Sequence, residues 1–354
     1  MTLADAVLGV MWIGLTAYAL FAGADFGGGV WDLLAGTAAG GRKQRALIEH
    51  SLAPVWEANH VWLIFVLVVL WTAFPTAFAA IASTLYLPLT LAAVGMIARG
   101  SAFAFRKTVD VPSVRRLLGA AFAFSSLLTP FFLGTVAGGI ASGRVPPGIA
   151  QGDVLSSWLN PTSLLGGVLT VGTCAYLAAV FLCSDAVHDG KPVLAGKFRV
   201  RALISGAVVG VIAVIGVLVV GADAPALASR LTGRGLPLLL GSAIAGLLAM
   251  WALLRYRYGL VRIAAAVAVT AVIWGWGIAQ YPQVLPPGLT IAAAAAGRST
   301  LVALLISLIC GAVLLIPSLV LLYSLFHRAQ TAPAAVDAGG TGPATPARTF
   351  RTVE

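Results

Sequence analysis

Charge is what this sequence has least of. Only 10% of its 354 residues are Asp, Glu, Lys or Arg, against 60% hydrophobic, whereas a soluble globular chain carries about 25% charged residues. With a mean hydropathy of +0.98, the shortage excludes a solvated globular surface and places the chain among integral membrane proteins. Cysteine is scarce too. Cys174, Cys183 and Cys310 each sit in an apolar stretch without C-x-x-C spacing, which argues against a disulfide framework or thiolate metal site and for small buried thiols. There are four histidines. Haem in a membrane bundle takes axial His or Met at membrane depth; only His60 approaches that depth, and it has no histidine partner. There is no P-loop, dinucleotide fingerprint or H-E-x-x-H. The chain alone therefore offers no redox centre, metal site or catalytic nucleophile.

What is present is a series of long apolar runs. A helix needs about 20 apolar residues to cross the hydrocarbon core. Low-charge stretches fall at 6–33, 56–74, 79–104, 117–140, 160–184, 202–221, 236–254, 260–280 and 299–326, predicting an all-α integral membrane protein of about nine helices. The first run has no basic segment before it and reads as a spanning helix, not a signal peptide. The weakest divisions are around Phe74-Pro75 and at the basic run Arg255–Tyr258.

The basic residues orient these runs. Of the 22 Lys and Arg, all but Arg144, Arg230, Arg234 and Arg298 fall on one side when nine helices alternate. Cytoplasmic loops carry such an excess, so the reading puts the N-terminus outside and the C-terminus in the cytoplasm. Residues 1–328 form the membrane domain. Residues 329–354, rich in Ala, Gly, Pro and Thr, read as a disordered cytoplasmic tail. His50, His188 and His327 fall in or beside cytoplasmic loops.

The informative residues are the ionisable ones inside apolar runs, which cost roughly 2.5–3.5 kcal/mol each at a helix centre and mark a pathway or a structural pair. Asp25 lies in GADFGGG at 23–29, about 30 Å along the first helix. Gly23 and Gly27 beside it permit close backbone approach. The segment APVWEANHVWL at 53–63 carries Glu57, Asn59 and His60, with Pro54 suited to a first helical turn. A single Glu-x-x-His pair does not make a di-iron site, which needs two. Arg99 lies in ARGSAFAFRK at 98–107; it either snorkels to the interface or pairs with Asp25 or Glu57. All four titratable groups fall toward the cytoplasmic side, on neighbouring helices. That placement is consistent with a proton inlet and equally with a structural ion pair. Trp274, Trp276 and Gln280 read as an outer interfacial belt. Pro317 is expected to kink or break the last helix.

These motifs resemble, in order, those of the cytochrome bd quinol oxidase subunit II family: GADFGGG at 23–29, PVWEANHVW at 54–62, RGSAFAFR at 99–106, WGIAQYP from Trp276, LTI at 289–291 and PSL at 317–319. The resemblance runs nearly the whole chain. It implies two four-helix bundles plus one peripheral helix, and an obligate subunit I holding haem b, haem d and the quinol site. It implies a complex that oxidises quinol and reduces oxygen to water with cytoplasmic protons. This chain would ligate no haem; it would supply structure and part of the proton route, with quinol and membrane lipid as further contacts. A small accessory subunit is left open. The matching positions are Asp25, Glu57 and His60 as proton-pathway candidates, with Arg99 and Asn59 in charge pairing. Two departures stand out: Glu57 replaces the family's usual Asp, and His60 its usual Glu. Histidine keeps a titratable group but loses an acid. The rival readings are a secondary transporter with an ion site at the glycine-interrupted first helix, and a purely structural scaffold subunit.

Overall fold

The computed structural model describes residues 2–36, 39–106, 108–109 and 111–331; within helices, the side chains at 39–40, 52–58, 106, 112, 316, 319–320 and 322–331 lie outside the described set. The chain forms α1 (Leu3–Leu33), α2 (Ala39–Ala73), α3 (Pro75–Thr84), α4 (Tyr86–Arg106), α5 (Pro112–Ala141), α6 (Pro161–His188) and α7 (Pro192–Asp223). There follow α8 (Pro225–Thr232), α9 (Leu236–Leu254), α10 (Tyr258–Gln280), the hairpin strands β1 (Gln283–Leu285) and β2 (Leu289–Thr290), α11 (Ile291–Ala294) and α12 (Arg298–Thr331).

Local chemistry fixes several starts. Thr2 caps α1 in a reciprocal box: its hydroxyl accepts from the Asp5 amide at 3.2 Å, and Asp5 accepts from the Thr2 amide at 2.7 Å. Asn160 caps α6 by accepting from the Ser163 amide at 2.9 Å, and Pro161 follows in the first turn. Proline opens α3, α5, α7 and α8 in the same way, where its missing N–H costs nothing.

Among the described residues, eight helices are long and apolar enough to cross a membrane, or up to nine if a bent pair is one span. That pair marks the main departure from the sequence expectation. The stretch 79–104 is not one helix. Residues Asn59–Ala73 and Pro75–Thr84 meet at 117°, and α4 starts afresh at Tyr86. Pro75 cannot donate to the helix before it, so the chain turns at buried Phe74. The carbonyl of Ala73, left without a helical donor, accepts from the Ala296 amide at 2.8 Å. A second departure is that α2 begins at Ala39. His50 therefore lies in a helix and not a loop, and Pro54 falls in the helix interior and not in a first turn.

Residues Met1–Leu304 form one compact unit, and Leu305–Glu354 a second. Within the first, α1, α2, α4 and α5 pack together, α6, α7, α9 and α10 pack together, and α6 joins the two groups by packing on both α5 and α1. The α1–α6 contact is close because Gly27 sits there. A methyl on it would fall onto the Cys174 backbone carbonyl and press the Ala178 side chain at 2.7 Å. Beside it, Trp31 donates its indole N–H to the Ala175 carbonyl at 2.8 Å. Of the thiols, Cys174 and Cys183 are buried, but Cys310 is exposed. In the second unit α12 continues to Thr331 with Pro317 inside it; the helix carries on through the proline. Helix therefore covers 329–331 of the expected tail, and 332–354 lies outside the described residues.

Candidate functional site

Four helices bring one polar cluster into the apolar interior. Asp25, eight residues before the end of α1, is 1% exposed, and Arg99 of α4 is 2% exposed. Arg99 Nη2 donates to Asp25 Oδ1 at 2.5 Å and to the Asp25 carbonyl at 3.0 Å. Its Nη1 donates to the Ser126 hydroxyl of α5, and that hydroxyl donates to the Phe122 carbonyl at 2.6 Å. The guanidinium also lies over the rings of Phe26 and Phe122, at 4.9 and 4.4 Å, where the ring faces attract it. On the other carboxylate oxygen, Asn59 Nδ2 of α2 donates at 3.4 Å. Bonding on this scale is what a buried ion pair requires, because several kcal/mol per ion are lost on leaving water.

The cluster is not saturated. Among the described residues, Asn59 Oδ1, Arg99 Nε and the Tyr18 hydroxyl are buried without a hydrogen-bond partner. Tyr18 stands seven residues before Asp25, two turns along the same face of α1. Gly29 makes room for the arrangement, since a side chain there would collide with Ser126 and come within 3.2 Å of Arg99 Nη1.

The structure thus brings Asp25, Asn59 and Arg99 together, and Arg99 points inward instead of snorkelling. His60 is half-buried, about 100° around α2 from Asn59. Glu57 lies in α2, but its side chain is outside the described residues. Sequence reasoning did not single out Ser126, Phe122 or Tyr18. The adjacent Ser125-Ser126 in an apolar helix was the available signal, since small polar residues in membrane helices favour contacts between helices. A second pair, Arg45 Nε to Asp32 Oδ1 at 3.0 Å, joins α2 to the end of α1.

Trp274, Trp276 and Gln280 also make internal contacts. Trp12 packs against Trp276 with ring centroids 5.2 Å apart and the planes tilted by 55°, and Trp274 Nε1 donates to the Thr16 hydroxyl at 3.1 Å. Gln280 accepts from Trp276 Nε1 at 2.6 Å and donates to the Val284 carbonyl at 2.6 Å. These groups lock α10 to α1 and to the hairpin.

The architecture defines a multi-pass, all-α membrane protein with an intramembrane ion pair. The family model for cytochrome bd terminal oxidase subunit II matches residues 3–326, and the chain belongs to that family. It is similar to cytochrome bd ubiquinol oxidase subunit 2 of Bacillus subtilis (strain 168), 29% identical over 170 residues, covering 47% of this chain and 49% of the relative. It is similar as well to cytochrome bd-I ubiquinol oxidase subunit 2 of Escherichia coli (strain K12), 27% identical over 190 residues, covering 52% and 48%. The chain thus spans about half the length of the curated relatives it matches. Among solved structures, a chain of the bd oxidase from Geobacillus thermodenitrificans matches with a TM-score of 0.72 and 27% identity, over 92% of this chain and 99% of that one.

Proposed function

We propose that this chain serves as the second subunit of a cytochrome bd-type terminal oxidase, in a complex that oxidises quinol and reduces dioxygen to water in aerobic respiration. The observation that carries this reading is the family match over residues 3–326, supported by a structural likeness covering 92% of the chain. On this reading subunit I is the obligate partner. It holds haem b, haem d and the quinol site, and this chain ligates none of them. The chain sits in the bacterial cytoplasmic membrane with its N-terminus outside, in keeping with the gathering of all but four of its 22 Lys and Arg on the other side.

Within the complex, Asp25 carries cytoplasmic protons, and Arg99 and Asn59 position its carboxylate. Glu57 and His60 on α2 are the further titratable groups of the route. Support comes from the unpartnered Asn59 Oδ1, Arg99 Nε and Tyr18 hydroxyl. Buried polar atoms of this kind ordinarily bind water, and a hydrated polar track is what proton transfer needs. One observation favours a second reading, a purely structural pair: Arg99 is held at once by the Asp25 side chain, the Asp25 carbonyl and Ser126.

The test is purification of the chain with whatever accompanies it from the membrane, followed by a reduced-minus-oxidised spectrum and an oxygen-uptake assay with quinol. A haem-bearing partner, chlorin-type absorption and quinol-dependent uptake are expected. A colourless protein without such a partner that moves a solute in liposomes would overturn the reading in favour of a transporter.

A further inference from the structure

At the end of α10 away from Arg255 and Arg257, a cleft of about 370 Å³ opens between the α8–α9 turn and the hairpin. Its size lies within the range of small-molecule sites, roughly 300–1,000 Å³. Two arginines line it, Arg230 and Arg234, together with Tyr281, Gln283 and Thr290, and no carboxylate does. Each guanidinium is braced from the hairpin side. Arg230 Nη1 donates to Gln283 Oε1 at 2.7 Å, and Gln283 Nε2 in turn donates to the Pro287 carbonyl at 2.8 Å. Arg234 Nη1 donates to the Tyr281 carbonyl at 3.3 Å. These bonds use one of the five N–H groups on each side chain.

Among the described residues neither arginine has an acidic partner, whereas Arg144, of the same basic-poor end, is matched by Asp223 at 2.6 Å. Two cations held at one cleft without a counter-charge suit a phosphate, which guanidinium forks bind through parallel, charge-assisted hydrogen bonds.

Two features say where that phosphate comes from. Tyr281 is 47% exposed at the very end of a membrane-crossing helix, the level at which tyrosine marks the headgroup region. From the cleft an exposed apolar stripe runs down α9 through Leu236, Leu240, Ile244 and Leu247, at the 4-4-3 spacing of a single helix face. We propose that Arg230 and Arg234 bind the phosphate of an anionic phospholipid, whose acyl chain lies along that stripe. The site is separate from the Asp25 cluster and does not depend on the oxidase reading.

The test uses the purified complex that contains this chain, stripped of lipid in neutral detergent and titrated under native mass spectrometry. The probes are phosphatidylglycerol, phosphatidylcholine and inorganic phosphate. Phosphatidylglycerol is expected to bind about 10-fold or more tightly than phosphatidylcholine, since each surface cation contributes roughly 1 kcal/mol toward anionic lipid. The double variant R230Q/R234Q loses that preference, and R230K/R234K, which keeps both charges, retains most of it. Because Arg230 also braces Gln283 and Arg234 the Tyr281 carbonyl, Arg234→Gln, which loses the longer bond, is measured alone with its melting temperature recorded and gives an intermediate loss of the lipid preference. Equal binding by the wild type and R230Q/R234Q overturns the proposal. Displacement of the lipid by equimolar inorganic phosphate also overturns it, by making free phosphate the ligand.

Discussion

Arg99 holds Asp25 twice, at the carboxylate Oδ1 at 2.5 Å and at the backbone carbonyl at 3.0 Å. The side-chain bond ties α4 to the charge on α1. The backbone bond ties it to the helix itself, at a point where Gly23, Gly27 and Gly29 offer no side chain to pack against. Both residues are almost fully buried, so this relationship governs the integrity of the bundle as well as whatever chemistry Asp25 performs.

Replacement of Arg99 by Met leaves a carboxylate buried and unpaired. Removing one member of a buried pair costs roughly 3–5 kcal/mol. The expected outcome is a clear fall in the melting temperature of the detergent-solubilised protein, and the double variant Asp25→Asn with Arg99→Met is expected to recover part of it. A double-variant melting temperature as low as the sum of the two single losses would contradict the direct pairing.

Gly27→Val tests the α1–α6 contact. The added side chain meets the Cys174 backbone, which cannot move aside as a flexible side chain would. Overpacking of this kind costs roughly 1–3 kcal/mol. Gly9→Val, at a position with open space around it, serves as the control and is expected to leave the melting curve in place.

How much of this was legible beforehand varied with the physics involved. The nine apolar runs and the isolated charges Asp25 and Arg99 stand out because charge inside a membrane helix is rare and costly. Asn59 could be placed near them from the register of its segment. Ser126 and Phe122 were hidden, because a serine among apolar residues looks alike whether it faces a guanidinium or its own helix. The turn at Phe74 was marked by Pro75, but the break at Leu85 was hidden: the residues on both sides of it are equally apolar, so hydropathy does not register a bend. The contacts of Trp274 and Trp276 with α1 were not legible either, because composition shows aromatic rings near a helix end but not which way they point. The hairpin after Gln280 left little trace, its strands being three and two residues long.

The loop between α5 and α6 supplies a pH-dependent element outside the spans. Asp153 accepts from the Ser156 amide at 2.7 Å and the Leu155 amide at 3.0 Å. Those bonds, the Ser156 amide first, hold its carboxyl below the ordinary 3.8. A depressed carboxylate contributes stability above its unfolded value, and that contribution is lost as pH falls through the folded one. Amide protection at Leu155 and Ser156, measured by hydrogen exchange and corrected for intrinsic rates, is therefore expected to be constant from neutral pH down to about 4 and to drop below that. Asp153→Asn is expected to flatten the acid dependence.

Gln280→Ala removes both the acceptor of the Trp276 indole and the donor to the Val284 carbonyl. Loss of two buried hydrogen bonds is expected to cost about 1–3 kcal/mol and to raise proteolysis at the hairpin. Gln280→Glu keeps the Trp276 acceptor but sets an unpaired carboxylate oxygen against the Val284 carbonyl, so its effect is expected to be at least as large.

The most direct test is quinol-driven oxygen consumption by the assembled complex carrying Asp25→Asn, with haem content and subunit ratio verified first. The account predicts turnover at least about 10-fold below wild type at full haem content, an altered pH profile and partial recovery with Asp25→Glu. Wild-type turnover and an unaltered pH profile in a fully assembled Asp25→Asn complex would contradict it and leave Asp25 a structural partner of Arg99.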